Sequence, residues 1–351
     1  MEFLPVSHES ILKGAQILKN GGLVAFPTET VYGLGADAFN PLALAKVFEA
    51  KGRPHFDPLI IHIAAIETLE KAVNLNLLSK ETRKKLFTLA ENLWPGPLSI
   101  VLPKNEKIPG IATAGLQTAA VRFPDHETAQ KLISLCGTAV AAPSANPFGS
   151  LSPTRAEHVL SGLGEKADLI LDGGSTRIGL ESTVLDITGE CIRILRPGGT
   201  PKDAIEKLIG ALQDSENKEQ RANINEQGLT SPGLLKSHYA PNAALYALNR
   251  EEIIKEPHET EREAAGKTAF MFFDGCTKDE WIAVHSAQKP PETIIVKVLS
   301  ETGQPLEAAS CFFETLHELD NSNVSRIYAQ FAPGQGLGEA INDRLRRASC
   351  N

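Results

Sequence analysis

Two cations stand two residues apart in KGRPHFDPLIIHI, residues 51–63, where Lys51 and Arg53 are followed by Pro54, Pro58 and an apolar run. Gly52 suits a left-handed helix C-cap and Pro54 pushes Arg53 to an extended backbone, so both cations would be fixed just before a strand begins. An isolated KGR is ordinarily a solvated helix end whose lysine complements the dipole. Proline on both sides argues for more. A rigidly held guanidinium is useful where it must meet a planar anion such as a phosphate or carboxylate.

Three further stretches carry similar chemistry. In PTETVYGLGADA, residues 27–38, Thr28, Glu29, Thr30 and Tyr32 crowd hydroxyls and a carboxylate at a strand end, and Gly33 and Gly35 allow a ligand to approach the backbone. In AAPSANPFGSLSPT, residues 141–154, Pro143 and Pro147 bracket Ser144 and Asn146, and Ser152 or Thr154 is expected to cap a helix whose N-terminus would suit an anion. Arg122 in AAVRFP, the ESTVLD run with Glu181, Ser182 and Thr183, and Arg196 in ILRPG form a dispersed fourth set. Singly, each is an ordinary turn or salt-bridge partner. Jointly, Lys51, Arg53, Arg122 and Arg196 fall close to Pro or Gly at strand ends, where an open α/β sheet binds its ligands, and their convergence favours a polyanionic substrate.

Several chemistries are excluded by pattern. There is no GxGxxG opening a helix, no GxxxxGK[ST], no HExxH and no GxSxG elbow. His62, inside PLIIHI, shares the period-two face of Ile60 and reads by itself as a hydrogen-bonded core histidine. A site of cations, hydroxyls and backbone amides without an evident nucleophile or general base suits phosphoryl or nucleotidyl transfer, where positioning and charge stabilisation supply most of the rate.

The elements that must position these residues follow from periodicity. GLVAFP (22–27), PLIIHI (58–63), LSIVLP (98–103), AAVRFP (119–124), TAVAAP (138–143) and ADLILD (167–172) read as buried strands. Helices are expected at 7–20 with Ser7 or Ser10 as cap, from Asn40 with Pro41 at its first position, and over 151–164. The first domain is therefore α/β with a parallel or mixed sheet. The polar stretch 209–230 reads as the boundary. Beyond it, strands at 243–249, 267–274, 292–300 and 324–331 alternate with helices at 249–265, 302–318 and 336–348, which suggests a small, open parallel sheet.

Composition bounds the rest. The 351 residues, 42% of them hydrophobic, are enough for two cores. The net charge of −8 argues against a general nucleic-acid binder. Residues 1–200 hold 19 Lys and Arg against 20 Asp and Glu, and 201–351 hold 16 against 23, so the acidity lies in the C-terminal part. Five cysteines without CxxC spacing indicate neither zinc nor disulfides and are expected to be reduced and mostly buried. No run approaches a membrane span and the N-terminus lacks a signal-peptide pattern, so a soluble, cytoplasmic protein is expected, with no metal site of its own.

In this order, PTETVYGLGADA, KGRPHFDPLIIHI, WPGPLSIVL (94–102), AVRFPDH (120–126), APSAN (142–146), ESTVLD (181–186) and ILRPG (194–198) resemble the threonylcarbamoyl-AMP synthase family, with its YrdC-type domain. SPGLLKSHYAP (231–241) and the chain after it resemble the extra domain of that family's long form. The resemblance implies a YrdC-like twisted mixed open sheet with flanking helices over 1–208, a linker at 209–241, and a smaller Rossmann-like parallel α/β domain over 242–351. It implies an enzyme joining L-threonine, bicarbonate and ATP into threonylcarbamoyl-AMP and pyrophosphate, a product that serves threonylcarbamoylation of the adenosine beside the tRNA anticodon through downstream transferase machinery.

Carried over position by position, the resemblance implies catalytic roles for Lys51, Arg53, Ser144 and Asn146. ATP contacts would come from Lys51, Arg53, Asp57, Thr118, Ser144, Ser152, Arg196, His238 and Tyr239. Threonine contacts would come from Thr30, Tyr32, His62, Arg122, Ala142 and Ser182, with Arg122 the partner of the amino acid carboxylate. Mg²⁺ bound through the phosphates would offset their charge. The position before His238 is often basic in the family but is Ser237 here, with Lys236 one place earlier, which leaves open the residue that supplies a linker cation. GQGLGEAINDRLRRAS (334–349) reads as a turn into a helix, and the second domain as a lid or regulator. Two alternatives stay open: a non-catalytic module binding tRNA or other RNA, and a carbamoyltransferase of the hydrogenase-maturation type. Weak direct contact with tRNA is kept among the expected partners, although the balanced charge of the first domain and an aromatic content of 6% argue against an RNA-binding face.

Overall fold

The computed structural model describes residues 1–189, 191–213, 239–256, 266–285 and 294–349. The chain divides into two compact units, the first comprising Met1–Phe148, Ser152–Arg177 and Glu181–Leu234 and the second Gly149–Leu151, Ile178–Leu180 and Leu235–Asn351.

The first unit is built on ten strands: β1 (Glu2–Pro5), β2 (Val24–Phe26), β3 (Gly33–Asp37), β4 (Ile60–His62), β5 (Leu98–Pro103), β6 (Thr118–Arg122), β7 (Val140–Ala141), β8 (Leu169–Asp172), β9 (Thr183–Asp186) and β10 (Arg193–Arg196). They pair in the order β1-β8-β2-β3-β7-β4-β6-β5-β9-β10, with parallel and antiparallel neighbours. The six expected strands are present. β1 and β3 were not expected, β10 ends at Arg196, where a strand end was read, and ESTVLD, read as a binding motif, contributes β9. β3 escapes a sequence reading because its GLGAD looks like a loop. Glycine is needed inside this strand, since a Cβ on Gly35 would lie 2.8 Å from Phe26 and 2.9 Å from Val140.

Helix ends follow local chemistry. Ser7 caps His8–Lys19 in a reciprocal box with Ser10, and the Asn40 side chain accepts from the Leu42 and Ala43 amides at the start of Pro41–Lys51. That second helix stops at Gly52, whose φ of 62° is the expected left-handed C-cap. The third expectation needs correction: the helix spans Ala156–Leu163 with Arg155 at its N-cap, so neither Ser152 nor Thr154 caps it. Ser152 instead donates from its hydroxyl to Glu181 at 2.5 Å, and Pro153 follows it outside the helix.

Strand alternation separates core from site. Ile61, Ile100, Val121 and Leu185 point into the main core of the unit. Their neighbours Ile60, Val101, Ala120 and Val184 form a small cluster of their own on the opposite face. His62, Arg122 and Ser99 lie on that second face too, because they are two residues along from Ile60, Ala120 and Val101. Register sets them side by side, His62 opposite Arg122 and Arg122 opposite Ser99.

The second unit contains β11 (Ala244–Leu248), β12 (Lys267–Asp274), β13 (Ile294–Ser300) and β14 (Val324–Gln330), all parallel in the order β11-β14-β12-β13. β12 is buried on both faces from Ala269 to Phe273, as a central parallel strand must be. Trp281 packs on Phe270 with ring centroids 4.6 Å apart. It belongs to a helix, Gly275–His285, that periodicity did not indicate; Asp274 accepts from the Thr277 amide at its start. Tyr239 holds a positive φ of 64°, with its ring 5.7 Å from Phe313 and the Arg344 guanidinium 5.2 Å above it. Most of the expected linker, His238 included, lies outside the described residues.

The cysteine expectation is corrected in part. All four described cysteines are free, yet only Cys136 is buried; Cys191 and Cys276 are exposed, because one lies in a turn and the other on the outer side of a helix.

Candidate active site

Lys51 ends its helix buried, and its ammonium donates to the backbone carbonyls of Ser144 (2.7 Å) and Asn146. Two of the three N–H donors are thereby committed to the turn that carries Ser144 and Asn146. Burial, reinforced by the nearby Arg53 charge and opposed by Asp57, holds the Lys51 pKa well below that of a free lysine. The Ser144 hydroxyl makes no hydrogen bond among the described residues and Ser144 is partly exposed. The Gly33 backbone bridges to Ser144, which ties the 27–32 strap to the same turn.

Arg53 is also buried. Its Nε donates to the Asp57 carbonyl at 3.0 Å, Nη2 donates to the Pro58 carbonyl at 2.8 Å, and Nη2 lies 2.8 Å from the Asp57 carboxylate. Burial raises the Asp57 pKa above the usual carboxylate value, and Arg53, Lys51 and Arg196 oppose that shift, each favouring the charged form. Asp57 thus sits at the centre of three cations. Its place behind Arg53 suits a positioning role better than direct contact with a polyanion, which its charge would repel.

Arg196 reaches across from β10 to donate to the Ser182 carbonyl from Nε (3.2 Å) and Nη2 (2.8 Å). Ser182 in turn shares a 2.8 Å hydroxyl contact with Ser99. A Cβ on Gly198 would meet residues 181–183 at 2.4–2.5 Å, all of it backbone, so only glycine lets the turn after β10 lie against this segment. Ser182 is therefore held from both sides, by a cation at its carbonyl and a serine at its hydroxyl.

A second charged group surrounds Arg122. Its Nη2 lies 2.7 Å from Glu29 Oε2, and Nε donates to the Gly96 carbonyl at 3.3 Å. Beside it, burial and the Arg122 charge push the His62 pKa down to about 3, against the pull of backbone contacts to Ile60 and Val140. His62 is neutral at physiological pH. Thr30 contacts the Thr28 hydroxyl at 2.8 Å, and Thr28 donates to the Val31 carbonyl at 2.7 Å, which stiffens the strap.

The remaining expected residues are placed less directly. Thr118 shares the site-side face with Arg122 but starts β6, about 13 Å along the strand. Ala142 donates its amide to the Ile60 carbonyl at 3.0 Å while its methyl packs in an apolar cluster. Tyr32 is buried; its hydroxyl donates to the Gly174 carbonyl and accepts from the Gly173 amide, a scaffold use of a residue expected to touch threonine. Four polar residues were not counted among the expected site residues: Glu29, Ser99, His126 and Glu181. Ser99 had a legible signal, as a polar residue in an apolar strand, and Glu29 and Glu181 stand inside runs already singled out.

The arrangement groups three buried cations, Lys51, Arg53 and Arg196, around Asp57, and sets apart a charged row of Arg122, Glu29 and His62. Ser182 lies between them through its links to Arg196 and Ser99.

Comparison with known proteins gives concordant results. Residues 16–198 match the Sua5, YciO and YrdC family model, described as telomere recombination, and residues 200–350 match the threonylcarbamoyl-AMP synthase C-terminal domain. The threonylcarbamoyl-AMP synthase of Pyrococcus abyssi is 41% identical over 95% of this chain and 92% of its own length. That of Bacillus subtilis is 38% identical over 99% and 94%. The crystal structure of P. abyssi Sua5 complexed with L-threonine superposes with a TM-score of 0.83 at 38% identity, covering 99% of this chain and 96% of that one.

Proposed function

Because this chain belongs to the threonylcarbamoyl-AMP synthase family, in its long two-domain form, we propose that its two charged groups bind ATP and L-threonine for one condensation. The enzyme is a nucleotidyltransferase forming threonylcarbamoyl-AMP and pyrophosphate. The observation that carries the site assignment is the pair of clusters joined at Ser182, one with three cations and one with Arg122.

Lys51 and Arg53 face the triphosphate, with Arg196, Ser144, Asn146, Thr118 and Ser152 completing the nucleotide side. Arg122 takes the threonine carboxylate, and Thr30, His62, Ala142 and Ser182 line that side. The threonine amine, after losing a proton, forms an N–C bond to the bicarbonate carbon with loss of water. A carbamate oxygen then forms an O–P bond at the α-phosphorus as the bridging oxygen leaves with pyrophosphate. Charge grows on that leaving group, and Lys51 and Arg53 are fixed beforehand where they stabilise it.

Among the described residues no group of three or more His, Cys, Asp or Glu is arranged to hold a metal ion, and Asp57 is engaged by Arg53. Mg²⁺ bound through the ATP phosphates would offset their charge. No helix among the described residues is long and apolar enough to cross a membrane. We place the enzyme in the cytoplasm, handing its adenylate to a transferase acting on tRNA, with residues 1–208 as the catalytic part. Pyrophosphate release from ATP, with threonine and bicarbonate supplied singly and together, tests the function. Release that needs both, with a threonylcarbamoyl-adenylate by mass, is expected; release without either is incompatible with it.

A further inference from the structure

Glu29 is the most deeply buried charge of the amino acid side, with 1% of its side chain exposed against 5% for Arg122. Although Nη2 and Oε2 are only 2.7 Å apart, neither Glu29 oxygen and not Arg122 Nη2 has an aligned hydrogen bond. A buried ion pair is tolerated when its remaining lone pairs and protons are satisfied, and here they are left over. The flanking hydroxyls do not use them: Thr28 and Thr30 bond each other and Val31. His126, whose Nδ1 also lacks a hydrogen bond, is held below the ordinary histidine pKa by burial, which outweighs the opposing pull of the nearby Glu29 charge.

A buried cation and anion side by side, each with bonding capacity in reserve, form the complement of a zwitterion. We propose that Glu29 is the counter-ion of the substrate's α-ammonium, so that the Glu29 and Arg122 pair reads both charges of the amino acid. This rests on the assignment of the threonine carboxylate to Arg122. The ammonium would supply the aligned N–H donor that Glu29 lacks, and the carboxylate would accept from Arg122. Free α-amino acids would then be selected over hydroxy acids and N-acylated analogues.

The test is calorimetric titration of the full-length protein with L-threonine and with 2,3-dihydroxybutanoate of matching configuration, which replaces the ammonium by a hydroxyl. Wild type should prefer threonine by about 100-fold, and Glu29→Gln should cut that preference by about 10-fold or more while ATP affinity stays within a factor of two. A wild type that binds both acids equally, or a Glu29→Gln variant that weakens both in proportion, overturns the proposal. Glu29→Asp, which keeps the charge, should retain most of the preference and serves if the glutamine variant does not fold. Arg122→Gln should weaken both acids alike; if it weakens neither, the carboxylate assignment fails, independently of Glu29.

Discussion

The Lys51 ammonium lies 2.7 Å from the carbonyl oxygen of Ser144, across 93 positions of the chain, and donates to the Asn146 carbonyl as well. One side chain therefore organises the turn bearing the two residues expected to act beside it. Lys51→Ala should lower kcat by about 10²–10³-fold, the range for loss of a positioned donor. Lys51→Arg should recover little, because a planar guanidinium cannot replace a compact ammonium lodged between two carbonyls. Steady-state pyrophosphate release compares the three proteins.

Nucleotide binding should take up a proton. Burial lowers the Lys51 pKa in the free protein, and a neighbouring polyphosphate restores the charged form. Between its free and bound pKa values Lys51 carries less proton in the free protein than in the complex, so the sign is uptake. Titration calorimetry of ATP in buffers of different ionisation enthalpy should show this uptake in wild type and not in Lys51→Ala.

Removing Asp57 should destabilise the fold far more than removing a surface partner. Asp57→Ala removes the buried carboxylate that lies 2.8 Å from the Arg53 guanidinium, at a cost of about 3–5 kcal/mol. Lys13→Ala breaks a 2.6 Å pair with Glu2 whose members are both nearly half exposed and should cost less than about 1 kcal/mol. Urea denaturation measures both.

Acid should weaken the fold through His62. Its folded pKa of about 3 lies below the model-peptide value of 6.5, so the unfolded chain binds more protons between those limits. This contribution is fully present above pH 6.5 and is lost as pH falls toward 3, with a slope of up to about 1.4 kcal/mol per pH unit. His62→Gln should flatten the stability profile between pH 6 and 4 relative to wild type, as followed by chemical denaturation.

Much of the first unit was legible because its strands are apolar runs and its caps are local. Asn40, Pro41 and Gly52 specify their helix ends within a few residues, and period two alone put His62 on the face of Ile60. β3 was hidden because its glycines answer to Phe26 and Val140, a contact between strands that no local pattern records. The expected cap at Ser152 failed for a similar reason, since its hydroxyl is taken by Glu181, 29 positions away. The cations could be picked out by their stiff surroundings, but their grouping could not. Only the fold sets Asp57 among Lys51, Arg53 and Arg196, and Glu29 against Arg122.

That grouping is tested most directly by titrating each substrate into Arg53→Gln and Arg122→Gln in parallel with wild type. Two neighbouring subsites predict a split: Arg53→Gln loses at least about tenfold in ATP affinity with threonine binding retained, and Arg122→Gln does the reverse. If both variants lose both ligands equally, or neither loses either, the division of the site into a nucleotide side and an amino acid side is contradicted.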